Sequence, residues 1–236
     1  MREALSWLDG SNLPKNSKIL DVGCGAGKLS KEVADRGYEV LAMDFSYNMI
    51  RKADATCNVN DKSHIKFLQG DIESLPFKDS VFDVVLCLGV VTYLRSERKA
   101  LHEMSRVLKS GGTLILSILN KVSLAKCIDI LAFAKRRLQE ITGNGIRPFG
   151  KVGETKQNYS GLRSYFIPSL KNSLKIAGFT ELDFIAVGYG PLTLFGRKIF
   201  PEEIDVNIST FLEKFSNLPF IRAFGEMCLF KAKKVS

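Results

Sequence analysis

From residue 18 onward, short apolar runs alternate with longer stretches whose apolar positions recur at helical spacing. The runs Lys18–Val22, Glu39–Met43, Ile65–Gln69, Phe82–Leu88 and Thr113–Ile118 have the length and hydrophobicity of strands buried on both faces. Between them, Leu29–Arg36, Tyr47–Cys57 and Glu97–Leu108 carry the period of amphipathic helices, and Gly37 and Gly111-Gly112 stand where two of these runs end. Parallel neighbours need a crossover to return the chain, so this βαβα succession predicts an α/β fold with a parallel sheet and helices on both faces.

After the fifth run the pattern changes. Residues 121–141 (KVSLAKCIDILAFAKRRLQEI) place Leu124, Ile128, Leu131, Ala134 and Leu138 at helical spacing, and the glycine-rich stretch GNGIRPFGKVG follows. An inserted helix and a mobile loop are expected there. A helix over Ser169–Ala177 stopping at Gly178, a strand over Leu182–Val187 and an irregular stretch 188–220 come next. The last run, Glu226–Lys231, reads as a hairpin partner at the sheet edge. No internal repeat is visible, so residues 1–236 are expected to form one domain. Its two embellishments, 120–160 and 188–220, fall where a substrate cover can form.

The 236-residue composition, 45% hydrophobic and 25% charged, is that of a globular domain with a sizeable core, which excludes a disordered tail or a small disulfide-stapled scaffold. No long apolar segment and no leader pattern after Met1 are present, so a soluble, cytoplasmic protein is expected. Five cysteines without a CxxC pair, mostly inside apolar runs, predict neither disulfides nor a metal site. Charge adds more once it is located. Residues 1–120 carry 16 basic and 15 acidic side chains, whereas 121–175 carry eleven basic and three acidic, so nearly all of the +9 net charge lies in one segment. Such a segment attracts an anionic substrate, nucleic acid or an acidic membrane surface, or it is a solvated helix face.

Candidate chemistry begins in KILDVGCGAGKLS, an apolar strand ending in Asp21, then Gly23, Gly25 and Gly27, then a helical run. Glycines permit a tight turn and let the backbone approach a ligand, and the helix start offers unpaired N–H groups. A dinucleotide fingerprint GxGxxG needs glycine at position 28, which is Lys28; the pattern is D-x-G-x-G-x-G, which disfavours nicotinamide or flavin. Asp44 ends the second strand, where a carboxylate can accept both hydroxyls of a ribose. Asp71 ends the third, where it can accept from an adenine amino group while Ile72 packs on the ring. Each aspartate alone reads as a helix cap or turn residue; three in register at strand ends do not.

The stretches ILDVGCGAGKLS, MDFSYNMIRKA, GDIESLPFKDSVFDVVLCLGVVTYL and MSRVLKSGGTLILS run through most of residues 18–118. In that order and spacing the sequence resembles a class I S-adenosylmethionine-dependent methyltransferase, of the broad group that includes the ubiquinone and menaquinone biosynthesis enzymes. The resemblance implies a Rossmann-like sheet of seven strands with an antiparallel last strand, S-adenosylmethionine as cofactor and S-adenosylhomocysteine as product. By resemblance Asp21 and the backbone of Gly23, Cys24, Gly25 and Gly27 hold the methionine part, Asp44 the ribose, and Phe45 and Met49 the adenine edge. Gly70, Asp71 and Ile72 likewise bind the adenine, and Leu88 and Gly89 lie near the cofactor's amino group. Two departures stand out. The N-terminal lid common among relatives is expected to be reduced to REALSWLDG, with Trp7 as its expected anchor, and no Asn-Pro-Pro-Tyr-type motif follows strand four, which weakens amino-group methylation of bases or of protein glutamine.

Methyl transfer from a sulfonium is an in-line displacement that gains most from alignment and exclusion of water, so the chain need not supply a nucleophile of its own. His64 and His102 are the only histidines, and neither sits on a loop at the expected ligand edge. Tyr93 is the better-placed catalytic candidate, and with Tyr159, Arg163 and Tyr165 it makes up the expected acceptor-binding set. The acceptor expected is a small metabolite, anionic or amphipathic, methylated at oxygen or carbon, with peripheral membrane contact left open. An RNA methyltransferase using the basic segment and a non-catalytic cofactor-binding regulator are the alternatives, the first disfavoured by the lack of a separate RNA-binding module. Nothing in the sequence sets the oligomeric state.

Overall fold

The computed structural model describes residues 1–57, 65–124, 127–128, 162–189, 193–194, 197–198, 201–215 and 218–235. Its elements in chain order are α1 (Arg2–Asp9), β1 (Lys18–Val22), α2 (Lys28–Ala34), β2 (Glu39–Asp44), α3 (Tyr47–Cys57), β3 (Ile65–Gln69), β4 (Phe82–Cys87), α4 (Arg98–Val107) and β5 (Leu108–Asn120). They continue with β6 (Ser164–Tyr165), α5 (Ile167–Ile176), β7 (Phe179–Val187), β8 (Thr193–Leu194), β9 (Arg197–Lys198), α6 (Glu202–Lys214), α7 (Pro219–Arg222) and β10 (Met227–Lys234). The main sheet runs β3-β2-β1-β4-β5-β10-β7, with β6 paired to β5 off this path. It is mostly parallel, with helices on both sides and one antiparallel strand, a doubly wound Rossmann-like fold.

The chain divides into two compact units: residues 1–118, 168–184 and 229–236 form the first, and 119–167 with 185–228 form the second. In the first, parallel registers pair Asp21 with Ala42, Asp44 with Gln69 and Asp21 with Leu86. The carboxyl ends of β1, β2, β3 and β4 therefore share one edge. Chain order reverses between β1 and β4, which is where open α/β sheets leave a crevice. Its core is built from apolar side chains, with Ile19, Leu20, Val84, Val85, Leu86, Leu101, Met104 and Leu114 buried.

Three expectations are corrected. On α1 the anchors are Ala4, Leu5 and Leu8, all buried, whereas Trp7 is only half-buried. The last strand is not at the edge, because β10 lies between β5 and β7. It runs antiparallel to both: Lys234 Nζ donates to the Leu108 carbonyl while Asn120 N–H donates to that of Glu226, and Val235 N–H meets Gly178 while Glu226 N–H meets Gly188. Cys228, Leu229 and Phe230 are buried in succession, as a strand covered on both faces requires.

The stretch 188–220 is also not irregular, for it holds the antiparallel β8–β9 pair and the helices α6 and α7. Glu202, Glu203 and Asp205 in the first turn of α6 complement its dipole. Within the second unit, buried Asn120 organises the backbone. Its Nδ2 donates to the carbonyls of Val122, Ala223 and Gly225 at 2.8–2.9 Å, and its Oδ1 accepts from Val122 N–H at 3.1 Å. Of the helix expected over 121–141, Leu124, Cys127 and Ile128 are helical, and most of the rest, with the glycine-rich loop, lies outside the described residues. Among the described residues, no helix is long and apolar enough to cross a membrane.

Candidate functional site

Four of the five β1 residues are buried, and this carries Asp21 into the core at 2% exposure. Its Oδ2 accepts from Ser30 Oγ of α2 at 2.5 Å. Burial raises the Asp21 pKa from 3.8 to about 6; the Ser30 hydrogen bond opposes that rise and the Asp44 charge adds to it. The carboxylate thus sits where an anion is costly, a position suited to a cationic partner.

Past β1 the backbone folds over the end of β2, where Gly23 and Cys24 N–H both donate to the Met43 carbonyl at 2.6 and 3.0 Å. Gly23 and Gly25 both have positive φ, but for different reasons. A Cβ on Gly23 would lie 2.1 Å from Val90 Cγ2, so this glycine serves packing. A Cβ on Gly25 would meet nothing within 4 Å, so the space above its backbone is open to a ligand. Cys24 between them is a neutral thiol, pushed up to about 12 by burial and by the Asp21 and Asp44 charges.

Asp44 is held from two sides. Gly25 N–H donates to its Oδ2 at 2.9 Å and Ser46 N–H to its Oδ1 at 2.8 Å. Each oxygen keeps lone-pair capacity, so the carboxylate is a fixed double acceptor of the kind a vicinal diol needs. Beyond it Phe45 is 76% exposed and Met49 42% exposed, an apolar face left uncovered by the protein. Gly70 N–H donates to the Asp44 carbonyl at 3.1 Å.

Asp71 departs from expectation, since β3 ends at Gln69 and Asp71 lies two residues past it, exposed, in a turn bridged to Ser74. Ile72 is buried. Leu88 is half-buried, and Gly89 is exposed with positive φ and open space where a Cβ would stand, its N–H donating to Ser117 Oγ at 2.7 Å. Tyr93, 72% exposed, ends a single 3₁₀ turn, Val91–Tyr93, that follows Gly89.

Asp21, Gly23, Cys24, Gly25, Gly27, Asp44, Phe45, Met49, Gly70, Asp71, Ile72, Leu88, Gly89 and Tyr93 all belong to the first unit. Arg163 and Tyr165 belong to the second, where the Arg163 guanidinium lies 5.0 Å over the ring of buried Tyr165. Tyr159 and His64 lie outside the described residues, and His102 is exposed on α4. Sequence reasoning missed the hydroxyls of Ser30 and Ser117, which hold Asp21 and Gly89, and the backbone N–H of Ser46, which holds Asp44; a lone serine on a helix or strand, or a backbone donor in a turn, carries no signal of such a duty. Among the described residues no cluster could hold a metal ion.

A buried carboxylate awaiting a cation, a fixed acceptor pair, an exposed apolar face and two open glycines suit a ligand with a cationic centre, a diol and a flat base. A family model described as a methyltransferase domain matches residues 20–116. The demethylmenaquinone methyltransferase of Renibacterium salmoninarum is 34% identical over 110 residues, 47% of this chain and 44% of that protein. The ubiquinone biosynthesis O-methyltransferase of Rickettsia conorii is 32% identical over 121 residues, 51% of this chain and 41% of that protein. The chain thus spans about half the length of the curated relatives it matches, or less. A solved S-adenosylmethionine-dependent methyltransferase from Methanosarcina mazei shares the fold, with a TM-score of 0.62 at 22% identity and 97% of each chain covered.

Proposed function

We propose that this chain, whose residues 20–116 are a class I S-adenosylmethionine-dependent methyltransferase domain, transfers a methyl group to a small anionic or amphipathic acceptor, at oxygen or carbon. The observation that carries the reading is the Asp44 carboxylate, fixed by Gly25 and Ser46 N–H beside the open backbone of Gly25. When bound, S-adenosylmethionine supplies a methyl group activated on a sulfonium. The residues around it do the rest: Asp44 accepts from the ribose hydroxyls, Asp21 offsets the cationic methionine end, and Phe45 and Met49 cover the base. Preorganised in this way, they lower the cost of alignment without any proton transfer of their own.

Acceptor selection we assign to the second unit, because its segments 119–167 and 185–228 contain both embellishments and most of the basic stretch. That charge favours an anionic group on the acceptor, with Arg163 as a candidate partner for it. The quinone-related names of the relatives support an amphipathic acceptor, handled in the cytoplasm or at a membrane surface. The basic stretch also admits a second, less favoured reading, methylation of RNA, for which the sequence carries no separate RNA-binding module.

The test is calorimetric binding of S-adenosylmethionine, S-adenosylhomocysteine and NADH, followed by labelled-methyl transfer into fractionated extract with and without ribonuclease. Binding of the first two and label in a ribonuclease-resistant small-molecule or lipid fraction is expected. Binding of NADH alone refutes the cofactor, label confined to RNA refutes the acceptor class, and cofactor binding without transfer to any fraction leaves a regulator.

A further inference from the structure

Residues 70–80, GDIESLPFKDS, join β3 to β4 and contain no helix or strand of their own, so their backbone groups need partners elsewhere. Local bonds make the Asp71 turn: Oδ1 accepts from Glu73 N–H at 2.8 Å and the carbonyl from Ser74 N–H at 3.1 Å. Oδ2 of this exposed carboxylate has no partner among the described residues. Further along, the segment is gripped by two side chains of α4.

Arg106 engages all of its donors. Nε donates to Glu103 Oε1 at 2.8 Å, Nη1 to the Phe77 carbonyl at 2.7 Å and to Asp79 Oδ1 at 2.8 Å, and Nη2 to the Leu75 carbonyl at 3.0 Å and to Glu103 Oε2 at 2.8 Å. Glu103 Oε2 also accepts from Leu75 N–H at 2.8 Å, so the pair closes on both polar groups of one backbone residue. Ser80 and Val81 N–H donate to the carbonyls of Arg106 and Val107 at 3.0 and 2.8 Å. Buried Ile72 and Leu75 add two apolar anchors between this grip and Asp71. The hydrogen bond from Arg106 lowers the Glu103 pKa, and Glu103 and then Asp79 raise that of Arg106, which keeps the pair charged.

A saturated, planar fork fixes direction as well as distance, which a lysine ammonium cannot do. The grip holds a segment whose one unengaged polar side-chain oxygen of interest is Asp71 Oδ2, four residues upstream of Leu75. We infer that Arg106, with Glu103, is a positioning residue for base recognition: it holds residues 70–80 so that Asp71 is placed to accept from the exocyclic amino group of the cofactor's adenine. This rests on reading residues 21–89 as the S-adenosylmethionine site. Asp71 touches neither α4 side chain; the link runs through the backbone of 72–75, so loosening the grip shifts the carboxylate without altering it.

The experiment compares calorimetric affinities for S-adenosylhomocysteine and for S-inosylhomocysteine, in which a carbonyl replaces the 6-amino group. Wild type, Asp71→Asn, Arg106→Lys and Glu103→Gln are measured, each with its melting temperature. Wild type is expected to prefer the amino form by about tenfold or more, as a hydrogen bond to a charged group implies. Asp71→Asn removes most of that preference, and Arg106→Lys cuts it by at least roughly threefold. A merely structural Arg106 lowers the melting temperature and leaves the preference unchanged, and that result overturns the inference. So does a wild type that binds S-adenosylhomocysteine without preference, whereas a wild type that binds neither compound overturns the site reading itself. Should Arg106→Lys not fold, Glu103→Gln carries the same expectation.

Discussion

Asp21→Asn tests whether the buried carboxylate is kept for a ligand rather than for the fold. Its pKa rises from 3.8 to about 6 on folding, chiefly through burial. At 1.36 kcal/mol per unit, the ionised side chain destabilises the folded state by about 3 kcal/mol. The direction follows from proton binding. Between those two values the folded state holds the proton more tightly than the unfolded chain does, so stability falls as pH rises toward about 6 and is level above it. Asn keeps the shape and can still accept from Ser30 Oγ, but it carries no charge. The variant should therefore melt roughly 6–12 °C above wild type near pH 8, given about 2–4 °C per kcal/mol for a chain of this size. Near pH 4 the difference should shrink toward zero, since Asp21 is then mostly neutral as well. Affinity for S-adenosylmethionine should drop at least about tenfold near pH 8, because the anion facing its cationic end is gone. Scanning calorimetry of both proteins at the two pH values, with isothermal titration near pH 8, measures all three quantities. A variant no more stable than wild type near pH 8, or equally stabilised at both pH values, would falsify the burial argument; unchanged affinity would remove the ligand role.

Four further variants separate the cofactor site from the fold and the acceptor from its alternatives. Asp44→Ala should weaken S-adenosylhomocysteine binding at least about tenfold, or about 1.4 kcal/mol, through loss of the diol acceptors; unchanged titration of the folded variant contradicts the ribose role. Gly25→Ala, where a Cβ meets open space, should cost only about 1–2 kcal/mol of stability from its left-handed backbone and yet lose most cofactor affinity. Gly23→Ala, which drives a methyl into Val90, should lose folding stability first, and equal behaviour of the two variants in melting and titration would refute the distinction. If RNA is the acceptor, changing Lys135, Arg136 and Arg137 to Ala should flatten the salt dependence of RNA binding, whereas a small-molecule enzyme shows no such slope to lose.

The first half of the fold was legible because its boundaries are chemical. Lys18–Val22 stops at Gly23, Ile65–Gln69 stops at Gly70, and both strands fall where the pattern put them. The second half was less so, because its boundaries depend on partners distant in sequence. β5 begins at Leu108 rather than Thr113, since pairing resumes on both sides of Gly111-Gly112, with Leu108 opposite Phe82 and Thr113 opposite Val84. β10 looked like an edge strand because the sequence does not say that β7 will flank it. α6 went unread although Ile204, Ile208, Phe211 and Phe215 recur at helical spacing, because turn-forming residues on either side of that pattern suggested a loop and Ile204, Phe211 and Phe215 remain exposed.

At the site the same division has a sharper cause. Asp21, Asp44 and the glycines could be read because each acts through a residue type whose place at a strand end is itself informative. Arg106 could not. It lies in an ordinary amphipathic helix, and all five of its hydrogen bonds end on common acidic side chains, Glu103 and Asp79, or on carbonyls that every residue possesses. A backbone acceptor leaves no trace in the sequence, and the carbonyls concerned lie 29 and 31 positions away. Only the three-dimensional coincidence of a saturated guanidinium with a segment lacking its own secondary structure gives the residue a role. For that reason the comparison of amino and deaminated cofactor products is the more informative assay: it reads the direction of the Asp71 carboxylate, which stability alone does not report.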